Sequence, residues 1–190
     1  MPLSANLNKI TTAIRSQNIE KLTQALKDHP LNAPMGSPGS LLLKFAIAYR
    51  AWASVDFLVD RGESLEKNIL DGHDDDLVAR QNALFYVLQS KTKAPFSLVE
   101  KMARQLQDIN ETNYEGKTVL FLLMDGGYSA KQAIVFLELG ANPDQGFLSA
   151  RALIPHLPEE FKTEFLGYLT QKELQAHTPG LSVKNPTSRL

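Results

Sequence analysis

The sequence contains no cysteine among its 190 residues. A disulfide framework and a thiolate metal site are therefore both excluded. An excess of either charge is also missing, since 20 Lys and Arg residues face 21 Asp and Glu residues and leave a formal net charge of -1 at pH 7. Non-specific binding to nucleic acid or to an anionic membrane requires a strong positive field. We accordingly expect neither of these among the partners.

Long hydrophobic runs are absent as well. No stretch of about 18 apolar residues, the length of a membrane-spanning helix, occurs in the sequence. The first residues, MPLSANLNKITTAIRSQN, lack the charged start and apolar core of a secretory signal. These absences predict a cytoplasmic protein, or one exported without a cleaved signal peptide. Apolar residues make up 43% and charged residues 22%, a composition typical of a folded domain or a short repeat array.

A helical hairpin is predicted for YEGKTVLFLLMDGGYSAKQAIVFLELGANPDQ, where Gly126 and Gly127 separate two apolar stretches. The apolar residues at helical spacing are Leu120, Leu123 and Met124 in the first stretch and Ile134 and Leu137 in the second. Ser129 is a predicted N-cap for the second helix. Gly140 stands where a helix commonly ends in a left-handed residue.

The same plan occurs twice upstream. QNALFYVLQSKTKAPFSLVEKMARQLQDINETN aligns Leu84 with Leu120, and SLLLKFAIAYRAWASVDFLVDRGESLE aligns Leu43 with both. Ser97 and Glu100 have the spacing of a capping box at the start of the second helix of their unit. The spacings are 41 residues from Leu43 to Leu84 and 36 residues from Leu84 to Leu120. Both exceed the roughly 33 residues of the simplest repeat of this kind, so extra residues must lie in loops.

These residues resemble an ankyrin repeat protein. The family pattern D-x-x-G-x-T-P-L-H-x-A, followed by two helices and G-A-D-x-N, is similar to NYEGKTVLF at 113–121 and to GAN at 140–142. Val119 and Phe121 replace the family's usual proline and histidine. The resemblance is closest over 113–146, weaker over 77–112 and weakest over 40–66.

The resemblance implies an all-α fold, namely an ankyrin-like helical-hairpin repeat solenoid with helical caps at both ends. One domain would span residues 1–175, and a flexible tail would follow at 176–190. The parts of the domain are a cap at 4–30, repeats at about 40–66, 77–112 and 113–146, and a cap at 147–172. Apolar residues at helical spacing support both caps, and Pro158 is predicted to open the last helix.

Gly116-Lys117-Thr118 matches the end of a phosphate-binding P-loop. That loop needs a glycine five residues before its Gly-Lys pair, and Glu111 occupies the position here. Glu111 and Glu115 would also repel a phosphate. The resemblance instead implies that Gly116 makes a tight turn and that Thr118 binds the backbone at the start of a helix. No cofactor is expected.

The largest insertion is acidic and lies between residues 62 and 77. Its carboxylates are Glu63, Glu66, Asp71, Asp74, Asp75 and Asp76. His73 and Asp74 could form half of a metal phosphohydrolase site, but no other histidine is placed beside them and the spacing of a calcium loop is absent. We expect a solvated loop without a metal, able to steer a basic partner. A metal-dependent hydrolase that uses His73 and the acidic loop 71–76 is the alternative function.

Motifs of nucleophilic or zinc-dependent catalysis are absent. No G-x-S-x-G or H-E-x-x-H occurs, so no catalytic residue and no enzyme activity are predicted. The resemblance implies a non-catalytic protein-protein interaction module that binds a partner protein through its concave face. Such a module would suit a bacterial immunity or inhibitor protein, or a secreted effector. We expect a monomer whose partner is another protein.

Contact positions follow from matching the repeats to the family one by one. They are Tyr49, Gln81, Gln89, Ser90, Thr112, Tyr114, Glu115, Lys117 and Asp125. Among the aromatic residues, Tyr114 is predicted to be exposed and Trp52, Phe45 and Phe57 to be buried. The terminal Ser188-Arg189-Leu190 is similar to a PDZ-domain ligand. Three residues often match by chance, and we assign them no role.

Overall fold

The computed structural model describes residues 3–30, 42–65 and 81–177 of the chain. These segments form ten α-helices and a single 3-10 turn at Ile154–His156. The helices are α1 Leu3–Arg15, α2 Ile19–Ala25, α3 Leu42–Ala48, α4 Trp52–Arg61, α5 Ala83–Leu88, α6 Phe96–Ala103, α7 Val119–Asp125, α8 Ala130–Glu138, α9 Ala150–Leu153 and α10 Glu159–His177. The β-type pairings in these segments are two isolated bridges, Thr112 with Thr118 and Lys117 with Leu148. The predicted all-α class is confirmed, and none of the described helices is long and apolar enough to cross a membrane.

The helices pack as hairpins that stack in two rows. α1 contacts α2, α3 contacts α4, α5 contacts α6, and α7 contacts α8. In the first row α3, α5, α7 and α9 touch in that order, and in the second row α2, α4, α6, α8 and α10 do the same. One core cluster runs through the stack. Its largest fully buried side chains include Phe85, Phe136, Phe165, Leu58 and Leu120.

The turns that join the helices of three hairpins share one backbone geometry. Gln17, Arg50 and Gly127 occupy equivalent places, with φ of 50°, 54° and 71°. The N–H of each donates to the carbonyl three residues earlier, and the next N–H donates to the carbonyl five residues before it. Gln17 and Arg50 are 33 residues apart. The α1–α2 hairpin therefore has the turn of a repeat unit, although its sequence predicts only a cap.

Glycine ends two helices of the second row. Gly62 and Gly140 follow α4 and α8 with φ of 93° and 96°, so the predicted left-handed residue at Gly140 is confirmed. Lys101 on α6 connects its helix to α4 by binding Asp56 at 2.6 Å and Asp60 at 2.8 Å. The hydrogen bond to Asp56, and then that to Asp60, raises the pKa of Lys101. These contacts join adjacent hairpins along the second row.

The acidic insertion begins differently from the sequence-based prediction. Glu63 is 3% exposed and pairs with Arg61 at 2.9 Å, so the prediction of a solvated residue is wrong there. Arg61 also donates to the carbonyls of Leu26 and His29. Arg61 thereby connects the end of α4 to the chain that follows α2. The carboxylate of Glu63 balances the charge of Arg61. The rest of the acidic loop, from Glu66 through His73 to Asp76, lies outside the described residues.

Side-chain caps start the helices of the fourth hairpin as predicted. The Thr118 hydroxyl accepts a hydrogen bond from the N–H of Phe121 at 3.2 Å. Ser129 and Gln132 form a reciprocal capping box at the start of α8. The capping box predicted for Ser97 and Glu100 is wrong.

The reason is that α6 starts two residues earlier than a cap at Ser97 requires. This helix begins at Phe96, after Pro95, and has no side-chain cap. Ser97 consequently lies within the first turn, where its hydroxyl is badly placed to bind the free N–H groups. Glu100 instead accepts hydrogen bonds from Arg104, at 2.6 Å for the shorter one.

Replacing Thr118 by alanine should lower the free energy of unfolding by about 1 kcal/mol, because an N-cap hydrogen bond to a buried helix start is lost. Ser97→Ala is the matched control and should change it by less than about 0.5 kcal/mol, as an exposed substitution without a capping role. Urea unfolding monitored by circular dichroism measures both. Equal losses for the two variants would contradict the assigned caps.

The aromatic residues and the C-terminal helices follow the predictions in part. Trp52, Phe45 and Phe57 are half-buried at the edge of the core rather than enclosed by it.

Pro158 directly precedes α10, as predicted, but the helix continues to His177, beyond the predicted end of the cap at 172. Residues 178–190, with Ser188-Arg189-Leu190, lie outside the described residues.

Candidate functional site

A tight turn connects Thr112 to Thr118, which form an isolated antiparallel bridge. The side-chain oxygen of buried Asn113 accepts hydrogen bonds from the N–H groups of Glu115 at 3.0 Å and Lys117 at 2.9 Å. Gly116 has a φ of 73°, which a residue with a side chain rarely adopts. The prediction that Gly116 makes a tight turn is confirmed.

The lysine of this Gly-Lys-Thr motif is engaged within the turn. Lys117 Nζ lies 2.9 Å from Glu115 Oε2 and 5.4 Å from the ring centre of Phe121. Its charge is thus balanced by a carboxylate that a phosphate would have to displace. The turn arrangement predicted from the sequence accounts for all three residues of the motif.

A second loop, residues 142–149, packs directly on this turn. The N–H of Leu148 donates to the carbonyl of Gly116 at 3.4 Å. A Cβ atom on Gly116 would lie 2.7 Å from Cβ of Phe147, and one on Gly146 would lie 2.5 Å from the Gly116 carbonyl oxygen. Both distances are shorter than side chains tolerate, so glycine at these two positions permits the close contact.

Arg151 holds the second loop from the other side. Its guanidinium binds both carboxylate oxygens of Asp144, at 2.6 and 3.1 Å. The hydrogen bond to Asp144 raises the pKa of Arg151. A two-pronged ion pair of this kind fixes orientation as well as distance. The two loops therefore form one ordered surface next to the first row of helices.

Three large apolar side chains project from this surface into solvent. Tyr114 is 52% exposed, Phe147 is 90% exposed and Leu148 is 39% exposed; we call these three residues the loop patch. The predicted exposure of Tyr114 is confirmed. Exposed apolar side chains clustered on ordered loops are typical of interaction sites.

Phe147 and Leu148 escaped the sequence analysis because residues from 147 onward were assigned to the C-terminal cap. A local signal was present. Gly146 precedes Ser149 by three residues and Gly116 precedes Thr118 by two, and both Ser149 and Thr118 are N-cap residues. Reading 142–149 as one more repeat turn would have placed Phe147 beside the first loop.

The structure separates the predicted contact residues into two groups. Thr112, Tyr114, Glu115 and Lys117 lie on the first loop, whereas Tyr49, Gln89, Ser90 and Asp125 lie at or near the hairpin turns that follow α3, α5 and α7. The seven residues of α7 separate the groups, a length of about 10 Å. Gln81 is 3% exposed, so it offers almost no surface to a partner and we remove it from the candidate residues.

Cationic side chains pack on the faces of aromatic rings at the hairpin turns. The Arg15 guanidinium lies 4.4 Å from the ring centre of Tyr49 and donates to its hydroxyl. Lys93 Nζ lies 4.1 Å from the ring centre of Tyr128 and donates to the Gly127 carbonyl at 2.6 Å. These pairs connect the first hairpin turn to the second and the third to the fourth.

Tyr128 is buried at this edge and acts as a structural residue. Its hydroxyl donates to the carbonyl of Ala94 at 3.1 Å. Burial raises the pKa of Tyr128, which keeps the hydroxyl protonated and able to donate. The hydrogen bond joins the α5–α6 connection to the α7–α8 turn.

Within the described segments, no three His, Cys, Asp or Glu side chains are grouped so that they could hold a metal ion. His73 and the acidic loop 71–76, the residues of the alternative hydrolase site, lie outside those segments.

Comparison with known proteins assigns no family to this chain. No model of a known protein family matches it, and a search of curated proteins finds no match. The functional proposal consequently rests on the surfaces described above.

Proposed function

We propose that this chain is a non-catalytic protein-binding module, an ankyrin-like stack of helical hairpins that binds a partner protein through its concave face. The loop patch would form part of that face. The partner is another protein and the module acts as a monomer, in the role of an immunity or inhibitor protein or of an effector. Each of these roles requires a preformed surface and no catalytic group.

Repetition of backbone geometry supports the ankyrin-like part of the proposal. The hairpins stack in two rows, three of their turns have the same hydrogen-bond pattern, and the first two turns are 33 residues apart, the period of the ankyrin repeat. Asn110 and Asn142 also link successive loops, since the Asn142 N–H donates to the side chain of Asn110 at 2.7 Å. Within the described residues four hairpins, from α1–α2 to α7–α8, follow one another, and α9 and α10 continue the two rows.

The polar groove of the first hairpin supports its place at an end of the stack that the structure describes. A groove of about 580 Å³ between α1 and α2 is lined mainly by polar side chains. They are Asn6, Asn8, Lys9, Thr12, Lys21 and Gln24. Terminal units of repeat proteins need such a polar outer face, because no further unit covers them.

The loop patch is the observation that carries the binding proposal. Tyr114 and Phe147 are large side chains on two loops that contact each other through backbone, where the Leu148 N–H donates to the Gly116 carbonyl, and the Asp144–Arg151 ion pair orders the second loop. Aromatic residues of this kind commonly contribute most of the energy of an interface. Because the loops are already ordered, binding would lose little conformational entropy.

Affinity capture from the source cell's lysate tests the proposal. The wild type should retain a stoichiometric partner protein, and Tyr114→Ala/Phe147→Ala should lose at least about nine-tenths of it, since each side chain is a candidate hot spot. Leu166→Ala/Leu174→Ala is the matched control, because both leucines are exposed on α10 and neither belongs to the two loops. It should capture as much as the wild type.

The melting temperatures of both variants should stay near that of the wild type, because all four side chains are exposed. Equal capture by the patch variant would exclude the loop patch as the binding site. Absence of any stoichiometric partner would contradict the binding module itself.

A further inference from the structure

The first three hairpin turns form an edge of one charge sign. The turn segments 15–18, 49–51 and 89–95 contain four cations, namely Arg15, Arg50, Lys91 and Lys93, and no Asp or Glu. We call these four residues the basic edge. For a chain with a net charge of -1, this is a local concentration of positive charge.

A groove opens on the basic edge between the ends of α3 and α5. Its volume is about 270 Å³, less than the roughly 300–1,000 Å³ of pockets that enclose a small-molecule ligand. The lining residues are Ile47, Ala48 and Tyr86, with Lys44, Arg50, Lys91, Gln89 and Ser90 around them. The groove is thus apolar in part, has cations at its rim, and is large enough for one or two side chains of a docked segment.

Arg50 is held in a backbone conformation that disfavours arginine. Its φ is 54°, and Gly127 takes the equivalent place in the α7–α8 turn. Gln17 shares this conformation in the first turn, where its side chain accepts a hydrogen bond from the N–H of Ala53 at 3.2 Å. Arg50 forms no such bond with any described residue. A strained residue whose side chain forms no hydrogen bond with the described residues suggests a functional role for that side chain.

We propose that the basic edge docks an acidic, extended segment of the partner protein. Carboxylates of the segment would pair with Arg50 and Lys91, which form no ion pair among the described residues, and an apolar side chain would enter the groove. Arginine suits this role because its planar guanidinium binds carboxylates by two hydrogen bonds. This proposal rests on the proposed protein-binding function and adds the chemistry of the partner.

The length of positive surface favours a short acidic segment over a nucleic acid. Beyond the third turn the edge becomes negative. Asp125 is exposed in the fourth turn, and Glu160 and Glu164 line the next groove, between that turn and α10. A long polyanion that followed the edge would meet these carboxylates, whereas a segment of a few residues would not.

Peptide display provides an unbiased test that uses the whole chain as bait. A library of random 12-residue peptides is selected on the immobilised wild type at low salt. Peptides rich in Asp and Glu with at least one large apolar residue should be enriched. The affinity of a selected peptide should fall by about tenfold or more in 0.5 M NaCl, because exposed ion pairs are screened.

Arg50→Gly separates the functional role from a structural one. Glycine relieves the strained backbone, so the melting temperature should rise by about 2–4 °C, while the affinity for the selected peptide should fall about tenfold or more. Arg50→Lys, which keeps the charge and the strain but loses the two-pronged geometry, should bind more tightly than Arg50→Gly and more weakly than the wild type. A rise in stability together with a loss of binding is not expected of a residue that only holds the turn.

Lys27→Gln/Arg104→Gln is the matched control for charge. Both side chains are exposed and follow helices of the second row, at the ends away from the basic edge. The control removes two positive charges, as Arg50→Gln/Lys91→Gln does. The control should bind the selected peptide like the wild type, and the edge variant should not.

The proposal would be overturned by selection of neutral or basic peptides, by equal loss of affinity in the edge and control variants, or by no enrichment of any peptide. A wild type that captures a protein through the loop patch, yet selects no acidic peptide, would keep the proposed function and reject only this inference. Tighter binding of a single-stranded oligonucleotide than of any acidic peptide would also reject it.

Discussion

Phe85→Ala is expected to lower the free energy of unfolding by about 3–5 kcal/mol, as for other fully buried phenylalanines. Phe85 has no exposed surface, and its helix α5 touches α3, α6 and α7. The cavity would therefore weaken contacts on both sides of the central hairpin. Urea unfolding measures the change, which is a large part of the 5–15 kcal/mol of a typical domain.

Phe147→Ala is the matched control, since it removes the same side chain from a position that is 90% exposed. It should change the free energy of unfolding by less than about 0.5 kcal/mol. A loss at Phe85 no greater than at Phe147 would contradict the assigned core.

Position in the stack should also affect the shape of the transition. Phe165 is as fully buried as Phe85 but lies in the terminal helix α10. In a stack where each unit contacts its neighbours, a terminal defect unfolds the end first. Phe165→Ala is thus expected to broaden or divide the transition, while Phe85→Ala shifts the whole of it.

Gly146→Ala is expected to lower the free energy of unfolding by about 2–4 kcal/mol, and Gly140→Ala by only about 1 kcal/mol. The two glycines have nearly the same φ, 94° and 96°, so the backbone strain of an alanine is similar at both. They differ in space, because a Cβ on Gly146 would lie 2.5 Å from the Gly116 carbonyl oxygen, whereas one on Gly140 would meet nothing within 4 Å. The difference between the variants therefore measures the packing of the second loop on the first.

The same pair of variants connects stability with binding. Alanine at Gly146 must move the neighbouring Phe147, so partner capture through the loop patch should fall in Gly146→Ala and persist in Gly140→Ala. Chemical denaturation and lysate capture of the two purified variants provide both readouts. Equal free energies of unfolding for Gly146→Ala and Gly140→Ala would contradict the packing of the two loops on each other in solution.

Local signals in the sequence predicted local structure well. Thr118 and Ser129 cap helices, Gly116 makes a tight turn, and Gly140 takes a left-handed conformation, as predicted. Each of these features depends on a hydrogen bond or a steric limit within about four residues of chain, so the residue types alone indicate it. Ser97 shows the limit of such signals, because a shift of two residues in the helix start removed its capping role.

Burial and adjacency could not be predicted in the same way. Glu63 and Gln81 have side chains that usually face solvent, yet both are buried, since other parts of the chain cover them. Phe147 belongs to the candidate site because backbone contacts bring its loop against Gly116, 31 positions earlier. Such relations depend on residues far apart in the chain, which no short motif records.

The sequence by itself determined an all-α chain of short helical hairpins, because helical spacing, caps and glycine turns act over a few residues. Only the tertiary structure decided which side chains form surfaces. Stacking of the hairpins brought Tyr114 and Phe147 onto adjacent loops and placed Arg15, Arg50, Lys91 and Lys93 along one edge. Each hairpin is too small to bury its apolar face alone, and it is the packing of one hairpin on the next that determines what remains exposed.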